Sequence, residues 1–219
     1  MMQVGKSDPY DDMGYIKAGK IFHLDGIDVG ETIDSWTDLA GGIVFNKIGS
    51  PSYETNGWYF PGESSSRFEA VITMQANQAL TIEACYRNQT TAAGYVLFHT
   101  SPDKNYNPVL GYYNGYGMTF LASTNTYIMR SSTNSYTISM NSNIGYLNGT
   151  QMTRNTKPDD WYSQNTALTV VGCRKRGSYD YPFKGTIHSI RIYNRRLSAE
   201  EIQHNQQIDN ERFNLGLDI

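Results

Sequence analysis

Cysteine, charge and long apolar runs are all scarce in this chain of 219 residues. Its two cysteines, Cys85 and Cys173, are too few for a disulfide framework and match no zinc-ligand spacing. They read as unpaired thiols in or near strands, with a single bridge as the alternative. Charged residues make up 18%, and 18 Lys and Arg stand against 21 Asp and Glu, for a net charge of −3. A phosphate-binding surface needs a concentrated positive field, so nucleic acid is not an expected partner. No run approaches the ~18 apolar residues of a membrane span. Residues 1–20 show no basic stretch followed by an apolar core, so no secretory leader is visible. The compartment stays open on that ground, with an extracellular or virion-associated setting expected over a purely cytoplasmic one.

Catalytic signatures are missing too. Gly14 to Lys20 nearly fits a phosphate-binding loop, but Ile21 stands where a hydroxyl should hold magnesium, and a strand pattern rather than a helix follows. There is no nucleophile elbow and no His-Glu-x-x-His. A glycosidase sets two carboxylates across a cleft, yet no acid pair at i, i+2 or i, i+4 falls inside a strand run. Asp25 and Asp28 straddle a turn, and Asp159 and Asp160 sit in a loop, so turn duty accounts for them. The four histidines, His23, His99, His188 and His204, are scattered and read as isolated strand or surface residues.

What is present is a β pattern. Hydrophobic residues make up 39% and aromatics 13%, the opposite of a disordered composition. Gln78–Tyr86 is the clearest run: Leu80, Ile82, Ala84 and Tyr86 alternate with Thr81, Glu83 and Cys85, which predicts one buried and one wet face. Similar short runs recur along the chain. Turn formers separate them, among them Asp25-Gly26, Asn56-Gly57, Asn114-Gly115 and Asn148-Gly149. Many short strands without helical periodicity predict an antiparallel sandwich or barrel. One helix is written near the end. Ser198 and Glu201 form a capping box, Leu197 and Ile202 a hydrophobic staple, and the helix should run to about Arg212. Its apolar face (Ile202, Ile208, Phe213) is thin, so it should lie on the surface and dock by a few contacts. No linker or composition shift appears, so residues 1–219 read as one domain, with about the first fifteen loosely held.

Tyrosine is the distinctive residue, with 17 copies. An aromatic face covers the C–H face of a sugar, while hydroxyl and Asn side chains bond sugar hydroxyls. Tyr106, Tyr112, Tyr113 and Tyr116 lie among Asn105, Asn107 and Asn114; Trp161 and Tyr162 follow, with Tyr179 and Tyr181 further on. Tyr112, Tyr113, Asn114, Tyr116, Trp161 and Tyr162 are the expected ligand-binding residues. No catalytic residue and no required cofactor is expected. The crowding of Asp25, Asp28, Asp34 and Asp38 offers loop oxygens that a calcium ion could use.

The run from Phe183 to Ile202, F-K-G-T-I-H-S-I-R-I-Y-N-R-R-L-S-A-E-E-I, resembles the closing segment of concanavalin A-like, laminin-G-like jelly rolls. Phe22 to Gly26 is similar to that family's opening strand, Ser35 to Gly41 to its W-x-D-L-S-G turn, Leu80 to Ala84 to a central strand, and Gly145 to Gly149 to a hairpin. The matches keep their order over about residues 20–213. The resemblance implies an all-β, two-sheet antiparallel jelly-roll sandwich with one sheet concave and one short C-terminal helix. It also implies a module that binds a glycan or a cell-surface partner, although some relatives are glycosidases or lyases. His188 and Ser189 replace acids common in relatives, which weakens a calcium carry-over. The E-x-D-x-x-E strand of the glucanases is absent. The tail from Asn205 to Phe213 is similar to versions in bacterial and prophage proteins, so a phage structural or tail-adhesin role is the alternative. A lyase or hydrolase built on a Tyr–His pair stands third.

Overall fold

A computed structural model describes residues 13–28, 33–74, 81–89, 93–100, 109–113, 116–120, 126–130, 135–141, 144–152, 154–155 and 165–219. Two antiparallel sheets face each other. The first has the order β14 (Thr150–Met152), β13 (Ile144–Leu147), β12 (Ser135–Asn141), β7 (Thr81–Asn88), β19 (Lys184–Tyr193), β5 (Gly57–Pro61), β4 (Ser52–Glu54), with β1 (Lys20–Asp25) also paired to β19. The second has the order β15 (Arg154–Asn155), β11 (Thr126–Arg130), β10 (Tyr116–Phe120), β9 (Val109–Tyr113), β8 (Gly94–His99), β16 (Asn165–Val171), β6 (Arg67–Met74), β3 (Val44–Ile48), β2 (Ser35–Thr37). A separate hairpin joins β17 (Arg174–Arg176) to β18 (Ser178–Asp180), and the helix α1 spans Ala199–Arg212.

Period-two alternation fills the space between the sheets. Leu24, Ile82, Ala84, Ile190 and Ile192 come from the first sheet, and Trp36, Phe45, Phe68, Ile72 and Val171 from the second. Rings dominate: Trp58 meets Phe68 edge-on at 4.7 Å, and Phe68 meets Trp36 at 5.7 Å. Each such pair contributes about 0.5–1.5 kcal/mol beyond its buried area. Trp36 spends its indole N–H on the Asp25 carbonyl at 2.8 Å. The Asn148-Gly149 turn takes positive φ at both residues (46° and 78°), as a two-residue hairpin with matching twist requires.

The expected wet face of β7 is not wet. Thr81, Glu83 and Cys85 are as buried as Ile82 and Ala84, because α1 and the chain beyond it cover the outer side of the first sheet. Phe213 and Leu215 pack on Cys85, while Leu197 and Ile202 pack on Tyr146 and Tyr193. The helix starts on the predicted capping box: Ser198 Oγ accepts from the Glu201 amide, and the Ser198 amide donates to Glu201. Its docking differs from the expectation of a few apolar contacts. Besides Ile202, the buried helix residues are Asn205, Gln206 and Asp209. Arg191 of β19 reaches Asp209 through two nitrogens at 2.7 and 2.6 Å, and Glu83 at 3.0 Å. Asn205 donates to Glu83 at 2.8 Å and to the Tyr193 hydroxyl at 3.0 Å. A polar helix face passes for a solvent face in sequence, but it docks when the strand below carries the complementary charge.

The start of the described chain is drawn into the same layer. Tyr15 is buried and donates to Asp209 at 2.8 Å, with the Arg191 guanidinium 4.1 Å from its ring centroid. Residues 1–12 lie outside the described residues.

Candidate functional site

α1 and the chain beyond it cover the outer side of β7 and β19 in the first sheet. The second sheet is exposed along β3, β6 and β16. Phe68, Ala70 and Ile72 point inward, so Arg67, Glu69, Val71 and Thr73 share the outer face. Val71 is 63% exposed and Val44 48%. Thr73 and Thr166 pair across the strands with hydroxyls 2.6 Å apart.

The β17–β18 hairpin stands beside this face and is tied to it by rings and guanidinium groups. Arg67 of β6 is held by Glu69 at 2.5 Å and lies 3.7 Å from the Tyr179 centroid. Lys175 is 4.3 Å from the same ring and donates to the Gly177 carbonyl. Arg174 makes a two-pronged pair with Asp180 at 2.7 and 2.6 Å, and stands 4.2 Å from Tyr181 and 5.7 Å from Tyr95. The Tyr95 amide of β8 donates to the Tyr181 carbonyl at 3.2 Å. Burial pushes the Tyr95 and Tyr179 phenols up, and Glu69 beside Tyr179 adds to the rise, so both stay neutral hydrogen-bonding groups. Tyr181 is 39% exposed and sits at φ +45°, a left-handed conformation rare for a bulky side chain. Tyr179 and Tyr181 stood out in sequence as aromatics; Arg67 and the Arg174-Lys175-Arg176 run did not. The three successive cations before S-Y-D-Y were the available signal.

The expected ligand residues fall in several places. Tyr112 is buried in the core, stacked on Tyr86 at 6.4 Å and edge-on to Phe183 at 5.7 Å. Its ring lies so close to Gly94 that a Cβ there would meet the hydroxyl at 2.6 Å. Tyr113 and Tyr116 pair across β9 and β10 at the end of that hairpin. Asn114, Trp161 and Tyr162 lie outside the described residues, as does Tyr106. In sheet order β9 neighbours β8, the strand that contributes Tyr95, so the Tyr113–Tyr116 end and the β17–β18 hairpin flank the same strand.

The acidic cluster is already engaged. Asp25 accepts from the amides of Ile27 and Asp28 at 2.9 and 3.1 Å, and Arg212 bridges Asp25 and Asp28 at 3.1 and 3.3 Å. Asp38 closes its own turn through the amides of His23, Ala40 and Gly41. Among the described residues, no group of three His, Cys, Asp or Glu is placed to hold a metal ion. Cys85 and Cys173 are free and buried, and burial pushes the Cys173 thiol up to about 12. A Tyr–His contact does exist: Tyr15 packs edge-on to His23 at 5.3 Å. Both are sealed from solvent, and burial with Asp209 alongside pushes the Tyr15 phenol up, opposite to what a tyrosine base needs.

Two antiparallel layers, one covered on its outer side by a C-terminal helix and the other exposed along β3, β6 and β16, define a jelly-roll sandwich of the laminin-G-like kind. The chain belongs to the concanavalin A-like lectin/glucanases superfamily, whose family model matches residues 60–203. No curated protein sequence gives a significant match. Among solved structures, Trypanosoma rangeli sialidase in complex with sialic acid is similar at TM-score 0.60 and 15% identity, over 90% of this chain and 33% of that one. The binding domain of botulinum neurotoxin DC in complex with SialylT is similar at 0.61 and 11%, over 87% and 52%. The CBM40 of the Ruminococcus gnavus IT-sialidase is similar at 0.50 and 16%, over 63% and 97%. This chain therefore spans about a third of the length of the sialidase chains it matches. At these identities the likeness is one of fold. Among the described residues, no helix is long and apolar enough to cross a membrane.

Proposed function

We propose that this chain is a non-catalytic module that binds a glycan on the outer side of the nine-stranded sheet, where β8–β10 and the β17–β18 hairpin adjoin. The observation that carries the reading is the asymmetry of the two faces. One is occupied by α1, and the other ends in a cluster of partly exposed tyrosines and guanidinium groups. Rings of this kind take the C–H faces of sugars, and the paired Arg and Asp groups take hydroxyls. Tyr113, Asn114, Tyr116, Trp161 and Tyr162 are proposed as further ligand-binding residues, while Tyr112 serves as core. Solved neighbours with sugar ligands, the sialidase with sialic acid and the neurotoxin binding domain with SialylT, support a glycan partner. With such a partner, we propose that the protein works outside the cell or on a virion.

One stacking ring contributes on the order of 1 kcal/mol, so the single-site Kd should be micromolar to millimolar. A glycan array followed by titration tests this. A hit whose affinity drops on Tyr181→Ala, Tyr113→Ala or Trp161→Ala supports the site. A hit indifferent to all three moves it elsewhere, and a blank array overturns the reading. The alternative proposal, a phage structural or tail-adhesin role, rests on the Asn205–Phe213 tail, of which Asn205, Asp209, Arg212 and Phe213 also serve the docking of α1.

A further inference from the structure

The β17–β18 hairpin is a positively charged spot on a negatively charged protein. The chain carries a net charge of −3. Around this hairpin, Arg67, Arg174, Lys175 and Arg176 stand against Glu69 and Asp180, four cations to two acids, an excess of two positive charges. The two acids are used to place cations rather than to cancel the spot. Glu69 holds the Arg67 guanidinium at Tyr179, and Asp180 grips Arg174 with both oxygens so that it lies at Tyr181. Guanidinium groups fixed on rings lose less freedom when a ligand arrives.

Two further features shape this spot. Tyr181 keeps a bulky side chain in the left-handed region, at a cost of about 1–3 kcal/mol, while remaining 39% exposed. Gly177, also at positive φ, closes a tight tip between Arg176 and Ser178, so that the three cations stand on one short ribbon. In the strand pairing Arg174 and Arg176 share one side of the ribbon with Asp180 and Ser178, while Lys175 and Tyr179 share the other. Positive charge therefore frames the tip from both sides.

We infer that this hairpin selects carboxylate-bearing sugars, with Lys175 and Arg176 drawing the carboxylate and the exposed Tyr181 ring lying against the sugar. The inference rests on the glycan-binding reading and narrows it to acidic glycans. Sialic acids and uronic acids share the recognised chemistry, and both serve as probes.

The test titrates the whole chain with 3′-sialyllactose, a glucuronate-terminated disaccharide and lactose, at about 50 mM and about 500 mM salt, across which screening collapses exposed charge attraction. The expected result is roughly tenfold tighter binding of an acidic sugar than of lactose at low salt, narrowing at high salt. The Lys175→Ala/Arg176→Ala variant, with an unchanged melting midpoint, should bind acidic and neutral sugars alike. A preference for one of the two acids identifies the sugar and upholds the inference. Equal binding of lactose, an undiminished preference in the double variant, or binding of sulfated sugars alone overturns it. If the array gives only neutral hits, acid selection fails and glycan binding stands; a blank array removes both.

Discussion

His23 is fully buried, and neither of its ring nitrogens has a hydrogen-bond partner among the described residues. Asp25 Oδ2, also without one, lies 3.7 Å away. Burial holds the His23 imidazole well below its usual 6.5, and Arg191, Lys20 and Arg212 act in the same direction. Burial likewise depresses His188, against the Asn56 carbonyl at 2.8 Å and beside Arg87, Asp209 and Glu54. A depressed histidine is neutral when folded and takes its proton on unfolding. Its contribution is present above about pH 6.5 and is lost as the pH falls below that value. Asp25 is raised by burial, which works the other way, favouring the folded form on acidification toward the ordinary carboxylate range. Melting midpoints should therefore fall from about pH 7 to about pH 5, before carboxylates titrate. His23→Phe should flatten that slope; an identical slope in the variant would exclude His23 as its source. Gly185 gives a second expectation at this scale. Its φ is +138°, and a Cβ there would stand 2.1 Å from the Arg87 carbonyl oxygen. Gly185→Ala should cost about 2–4 kcal/mol in urea unfolding.

Helix α1 shows which of its contacts matter. The capping box is a local device, and Ser198→Ala should cost about 1 kcal/mol. The Arg191–Asp209–Glu83 network is wholly buried, so removing one member strands charge away from water. Arg191→Ala should cost about 3–5 kcal/mol. The order of the two effects, read from denaturation midpoints at equal slope, checks that the buried network and not the cap secures the helix. Equal losses would mean that solvent reaches the network. Strand β19 explains why Arg191 is there at all. Both faces of this strand are covered, so its alternating Ile187, Ile190 and Ile192 go to the core while Ser189 and Arg191 serve the helix. The bulge between Ile187 and Ser189 sets His188 against Phe213, stacked at 5.2 Å.

Across the whole molecule the two sheets divide their duties. The first carries the helix and closes the fold; the second keeps an outer face with exposed Val44, Val71 and Thr73 and a cationic aromatic hairpin at its flank. On the proposed glycan-binding reading, a single copy binds weakly and an array binds strongly. Displaying several copies on one scaffold should raise apparent affinity for a glycan-coated surface by about 10²–10⁴ over the single domain. Tyr181→Asn, which suits the left-handed backbone but lacks the ring, should keep the melting midpoint while weakening binding in surface plasmon resonance. A loss of stability with binding intact would make Tyr181 a structural residue only.

Sequence alone determined the strand sites, the turns and the helix start, because each is a local pattern: period-two alternation, Asn-Gly turns, and a Ser-x-x-Glu cap. That pattern left a sandwich or a barrel, and the resemblance of Phe183–Ile202 to laminin-G-like jelly rolls implied the sandwich. The sequence also marked Asp25 and Asp28 for a turn and read the two cysteines as unpaired thiols in or near strands. It could not say that Thr81, Glu83 and Cys85 would be covered, since a polar stripe looks the same whether water or a complementary helix lies over it. Nor could it place Tyr112 in the core while bringing Arg67, more than a hundred residues away in the chain, onto Tyr179. Those outcomes depend on which side of each strand meets a partner, and only the packing of the two layers with the helix and the hairpin decides that.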